Sequence, residues 1–147
     1  VNSPNFFYYH GIVLAVLWFV LANLAILLRK LSPLYHAASF FIIDLTSLSF
    51  SAAAAYRAYP YLSYFPDWSL LKQGHVLGGA LFTLLLLVQH VMGVTTLLRS
   101  GVYNPYHRKL AFVVTNLGRM LSVFGLIIAE ANQMIVVGTA VLAVVLL

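Results

Sequence analysis

Four uninterrupted apolar runs dominate this chain, and each is long enough to cross a lipid bilayer. A helix rises 1.5 Å per residue, so about 20 apolar residues span the hydrocarbon. The runs cover roughly 6–28, 34–59, 69–98 and 105–130, with a shorter fifth from 132 to 147. Arg29, Lys30 and Ser32-Pro33 stop the first, and Pro60 closes the second. Arg99 and Gly101 end the third, and Pro105 opens the fourth as a good first-turn residue. One helix from Pro105 to Leu147 would be about 64 Å long, twice the hydrocarbon thickness. Glu130-Ala131-Asn132-Gln133 is therefore predicted to turn the chain back. These runs predict an all-α integral membrane protein: an antiparallel four-helix transmembrane core bundle plus a fifth, truncated helix, forming one domain over 1–147.

Composition supports the bilayer as solvent. The 147 residues are 63% hydrophobic and 7% charged, with mean hydropathy +0.97, whereas a soluble domain carries about 25% charged residues. The absence of cysteine excludes disulfides, cysteine-ligated iron–sulfur clusters and covalent c-type haem attachment. The net charge of +5 is spread over short loops and helix ends, which argues against a nucleic-acid partner. The first run is too long for a signal-peptide core and lacks a small-residue cleavage site after it. The sequence begins at Val1, as a processed or partial chain would, and ends inside an apolar run, as a truncated helix would.

Loops one and three carry Arg29, Lys30, Arg99, Arg108 and Lys109; loop two carries Arg57 and Lys72 against Asp67. The positive-inside rule puts loops one and three on the cytoplasm-like side and the N-terminus on the non-cytoplasmic side of a multi-pass protein. Tyr8, Tyr9, Tyr35, Tyr56, Tyr59, Tyr61, Tyr64, Trp68, Tyr103 and Tyr106 crowd the expected interfaces as an aromatic belt.

One histidine stands near the start of each long run: His10, His36, His75 and His107. Polar side chains in membrane spans are costly and mark function. Antiparallel neighbours place His10 with His75 at one surface and His36 with His107 at the other. Each pair offers one imidazole to either side of a flat macrocycle, so the topology predicts two bis-histidine haems. Small residues share the histidine faces: Ala111, Thr115, Gly118, Ser122, Gly125 and Ala129 with His107, and Gly78, Gly79, Phe82, Leu86, Gln89 and Gly93 with His75. Phe40, Ser47, Ser51 and Ala54 share a face with His36. For these stripes alone, ordinary helix–helix packing is the preferred explanation. His90, about 22 Å along the third run from His75, is expected to hydrogen-bond in the core, with replacement of a ligand of the His36/His107 pair as the other reading. Two charges lie within spans. Arg119 is expected either to pair with Asp44 or to neutralise a haem propionate of the His10/His75 site. Arg29, Lys30, Arg99, Arg108 and Lys72 are the other candidate propionate partners, with topology signalling an equal explanation for each.

The order of these features resembles the cytochrome b561 domain, especially the kind found with DOMON and ferric-reductase-like proteins. His10-Gly11 opens the first core helix, Trp18 follows and Arg29 closes it. Leu34-Tyr35-His36 starts the second. The third carries His75, Gly78, Phe82 and Gln89 with Arg99 at its end, and Asn104-Pro105-Tyr106-His107 matches the start of the fourth. The likeness runs from residue 10 to 147. It implies two haem b groups per chain, ligated by His10/His75 and His36/His107, and transmembrane electron transfer between a donor and an acceptor on opposite faces, often ascorbate and ferric iron or monodehydroascorbate. These residues include no DOMON domain, and Arg108 stands where related proteins commonly carry a second histidine. The haem sites therefore carry over better than the substrate. A homodimer or a place as a carrier subunit in a larger complex is compatible with this.

Two other readings compete. A structural or assembly subunit would keep the helices and bind no haem. A solute or proton transporter would use Asp44, Arg119, His90 and Glu130, but no Gly/Pro-broken helix interrupts mid-span. The more basic side is expected to hold the haem of higher potential.

Overall fold

The computed structural model describes residues 5–99 and 104–129, and these are helical with no strand among them. The first rod consists of α1 (Asn5–Ala15), a π-helical stretch (Val16–Leu21) and α2 (Ala22–Leu28), which follow one another without leaving right-handed helical geometry. Next come α3 (Pro33–Ala58), a 3₁₀ segment (Tyr59–Asp67), α4 (Leu70–Leu98) and α5 (Pro105–Ala129). Four helical stretches, Phe6–Leu28, Pro33–Asp67, Leu70–Leu98 and Pro105–Ala129, are long and apolar enough to cross a membrane. The expected fifth helix, the turn at Glu130 and Tyr103 lie outside the described residues.

Local chemistry sets the helix starts. Ser32 Oγ accepts from the Leu34 amide at 3.2 Å, with Pro33 in the first turn. Ser69 Oγ accepts from the Lys72 amide at 3.4 Å. Asn104 Oδ1 accepts from the Tyr106 and His107 amides at 3.0 and 3.2 Å, again with a proline between. The Asn-Pro-Tyr-His run is thus a helix cap that delivers His107 on the first turn of α5. α3 ends at Ala58, close to where Pro60 is expected to close the second run, and the chain continues as a 3₁₀ segment with Pro60 in its first turn.

Side-chain contacts fix how the rods lie. His10 meets His75 and Trp18 meets Phe82, so the first rod and α4 run in the same direction. Gly11 faces Leu126 and Gly118 faces Trp18, so α5 opposes the first rod. His36 reaches Ala25, whereas Arg57 lies over Phe6, so α3 opposes it too. The core joins Leu14, Leu17, Trp18, Ala22 and Ala25 of the first rod to Ile43, Phe82, Leu86, Val114 and Leu121. Trp18, 1% exposed, is its largest fully buried side chain. A Cβ on Gly118 would come within 2.8 Å of the indole and 3.1 Å of Phe82, so only glycine lets α5 approach here. Thr115, Gly118 and Ser122 of the small stripe on α5 face inward, and Gly118 serves helix packing. The outward faces carry exposed apolar residues such as Val20, Leu24, Phe41, Leu84 and Phe112, as a lipid-facing surface would.

Candidate functional site

The helix directions bring the four run-opening histidines together two by two. His10, 8% exposed, comes from the second turn of α1, and half-buried His75 from the second turn of α4. Their ring centres lie 6.5 Å apart with the planes at 89°. A metal held between two imidazole nitrogens, at about 2 Å from each, sets the ring centres roughly 6 Å apart. The spacing therefore fits a shared iron. Nδ1 of both rings is buried without a hydrogen-bond partner, although the backbone carbonyls of Phe50 and Leu121 are close enough to act on them. A small ring rotation would let each Nδ1–H donate to its carbonyl and leave Nε2 for a metal, the usual support for a ligating imidazole. A Cβ on Gly125 would stand 3.0 Å from His75 Cε1, so glycine is what makes room for this ring. Phe6 stacks on His10 with ring centres 6.5 Å apart, and the Arg57 guanidinium lies 4.5 Å from the Phe6 ring centre.

At the other end, His36 Nδ1 donates to the Ala25 carbonyl at 2.8 Å, which leaves Nε2 as the ring nitrogen a metal would take. His107 lies near His36 and Arg29. Its Nδ1 is 2.9 Å from Gln89 Nε2, while buried Gln89 Oε1 has no partner. With the amide O and N exchanged, Oε1 would accept from Nδ1–H and leave His107 Nε2 for a metal, and the buried atom without a partner would then be the amide nitrogen. A Cβ on Gly93 would meet His107 Cε1 at 3.3 Å. Along the first rod this level, marked by Ala25, lies about 22 Å from His10.

Trp18 and Phe82 sit between the two levels, edge to face at 5.2 Å. Arg119 also lies there. Its Nε donates to the Trp18 carbonyl at 3.2 Å, and its Nη2 donates to Asn23 Oδ1. Asn23 Nδ2 in turn donates to the Phe19 carbonyl at 2.8 Å. Arg119 thus secures the π-helical stretch, where widened turns loosen the normal backbone ladder. The expected Asp44–Arg119 ion pair is not formed. Asp44 Oδ2 instead pairs with His90 Nδ1 at 3.0 Å, because His90 of α4 faces the inner side of α3 while Arg119 is held by the first rod. The hydrogen-bonding role expected of His90 is what the structure places there.

The candidate propionate partners Arg29, Lys30, Lys72, Arg99 and Arg108 are all exposed. Arg29 is near His107; Lys72 lies 4.1 Å over the Trp68 ring. The sequence gives no sign of Arg57 here: a lone cation at the end of α3 does not reveal that it will lie over Phe6, the ring that stacks on His10. Among the described residues no three His, Cys, Asp or Glu side chains cluster to hold a bare metal ion. A haem needs only two protein ligands, since its macrocycle supplies the other four. No family model, curated protein or solved structure matches the chain.

Proposed function

We propose that this chain is a transmembrane electron carrier of the cytochrome b561 kind: an antiparallel four-helix bundle in the bilayer that holds two bis-histidine b-type haems. The observation that carries this reading is the 6.5 Å spacing of the His10 and His75 rings at a buried level. Haem b, when bound, supplies a one-electron ferric–ferrous couple. His10/His75 and His36/His107 would hold the two groups, each iron with two imidazoles, and the chemistry such a site would supply is one-electron transfer. Arg29 at the His36/His107 level and Arg57 with Lys72 at the other end would meet propionates. Trp18 and Phe82 fill the space between with close-packed aromatic side chains that exclude water. The donor and acceptor meet opposite faces; ascorbate on one side and ferric iron or monodehydroascorbate on the other are the proposed classes.

The test is a dithionite-reduced minus oxidised visible spectrum of the detergent-purified protein with haem quantified per chain. Two low-spin b-type haems per chain are expected. One haem would break one histidine pair. A colourless protein, reconstituted with haem and still colourless, would overturn the reading in favour of a structural subunit.

A further inference from the structure

Two buried polar atoms on α3 lie outside everything assigned above. Ser47 is 0% exposed and its Oγ has no partner; Asp44 is 5% exposed and its Oδ1 has none. The contrast with the flanking hydroxyls is informative. Thr46 and Ser49 each donate to the carbonyl four residues back, at 2.8 Å, the routine way to satisfy a hydroxyl on an apolar helix. Ser47 does not. Asp44 and Ser47 are three residues apart and therefore neighbours on one helix face, and His90 of α4 closes on Asp44 from the other side. A buried carboxylate oxygen and a buried hydroxyl left open beside an imidazole are costly as a purely structural arrangement, but they suit a group that gains and loses a proton.

We propose that Asp44, Ser47 and His90 form a proton-binding site inside the membrane that is loaded when the chain is reduced; this rests on the haem reading above. The site lies between the two histidine levels. Asp44 is eight residues from His36, about 12 Å along α3, and six from Phe50, about 9 Å, whose carbonyl faces His10. An electron in a low-dielectric interior is an unbalanced charge, and a nearby proton offsets it. For unit charges about 12 Å apart at an effective dielectric near 20, each changes the other's equilibrium by roughly tenfold. For each electron that an external reductant leaves on iron, the Asp44 carboxylate takes up to about half a proton from the aqueous phase at this coupling, forming its O–H bond; reoxidation releases it. Ser47 Oγ accepts from the resulting carboxyl, and His90 Nδ1–H holds the other oxygen. On the elements packed against α3 the charged or titratable groups are Tyr8, Tyr9, His10 and Arg29 of the first rod, Tyr59, Tyr61, Tyr64 and Asp67 of the 3₁₀ segment, and Lys72, His75, His90 and Arg99 of α4; His90 is the one in contact with Asp44. Arg119 of α5 is committed to Trp18 and Asn23, and His107 to Gln89. An Asp–His contact also orients metal-ligating imidazoles, but here the His90 ring packs on Phe41 at 5.5 Å, not on a second imidazole.

The experiment is a redox-difference infrared spectrum of the holoprotein with a parallel potentiometric titration over roughly pH 5 to 9. Reduction should produce a protonated-carboxyl band that shifts in D2O, is lost in Asp44→Asn and moves in Ser47→Ala. The wild type should lose up to a tenfold stabilisation of the reduced state between acid and alkaline limits, about 59 mV for one electron, and Asp44→Asn should lack that component. Should Asp44→Asn not fold, the wild-type band and its Ser47→Ala shift decide. A two-haem protein without such a band, or with a band unmoved by either substitution, overturns this proposal alone. A colourless protein overturns it together with the haem reading.

Discussion

His10 and His75 sit among apolar neighbours with no hydrogen bond on either Nδ1, whereas His36 and His107 each have Nδ1 engaged, by the Ala25 carbonyl and by Gln89. The first pair is held by packing: Gly125 yields space to His75, and Phe6 lies against His10. The second pair is held by polar contacts from two other helices, and both its rings are half-buried, as His75 is, whereas His10 is buried. The two ends of one helical assembly thus solve the same problem differently. Packing holds a ring only while its neighbours keep their volume; a hydrogen bond holds its direction even where water has access. The packed end should therefore be sensitive to added volume and the bonded end to lost polarity.

The largest effect should come from removing one of the proposed haem ligands. His75→Ala should lower haem content from two per chain to one and leave the signals of the other level intact; loss of both haems in a folded protein would show that the levels do not bind independently. Gly118→Leu should come next. Its side chain would collide with Trp18 and Phe82 between the levels, costing about 1–3 kcal/mol or more, so thermal unfolding should fall while both levels suffer alike. Gln89→Leu should weaken haem at the His36/His107 level by about 10–100-fold, read as haem retention during dilution, and spare His10/His75. An effect on the packed end instead would reverse the comparison. The smallest effects should separate Gly125→Ala from Gly93→Ala. The former places a Cβ 3.0 Å from the His75 ring and the latter 3.3 Å from that of His107, so Gly125→Ala should perturb its haem spectrum more. Equal changes would mean that packing matters equally at both ends.

Much of this was legible in order along the chain. Pro105 announced a helix start, and Arg29, Ser32-Pro33 and Arg99 announced ends, because prolines and charges act within a turn of where they stand; that Ser32 and Asn104 cap the following helices emerged from the structure. The grouping of His10 with His75, and of His36 with His107, followed from counting reversals. The partner of Arg119 was not legible. Asp44 was the obvious counter-charge by sign, yet rotation about the helix axes turned Arg119 to the Trp18 carbonyl and Asn23, and gave Asp44 to His90. The π-helical stretch was equally hidden, since Val16–Leu21 reads as any apolar helix.

The sequence by itself determined that this chain makes four apolar helices of membrane-spanning length, each with a histidine near its start. Hydrophobic run length and capping chemistry are local properties that need no partner. The tertiary structure alone decided which faces meet: that Gly118 admits Trp18, that Gln89 supports His107, and that Asp44 and Ser47 turn unsatisfied oxygens inward beside His90. Those outcomes depend on helix rotation and tilt, which are set by side-chain interlocking between segments far apart in the chain.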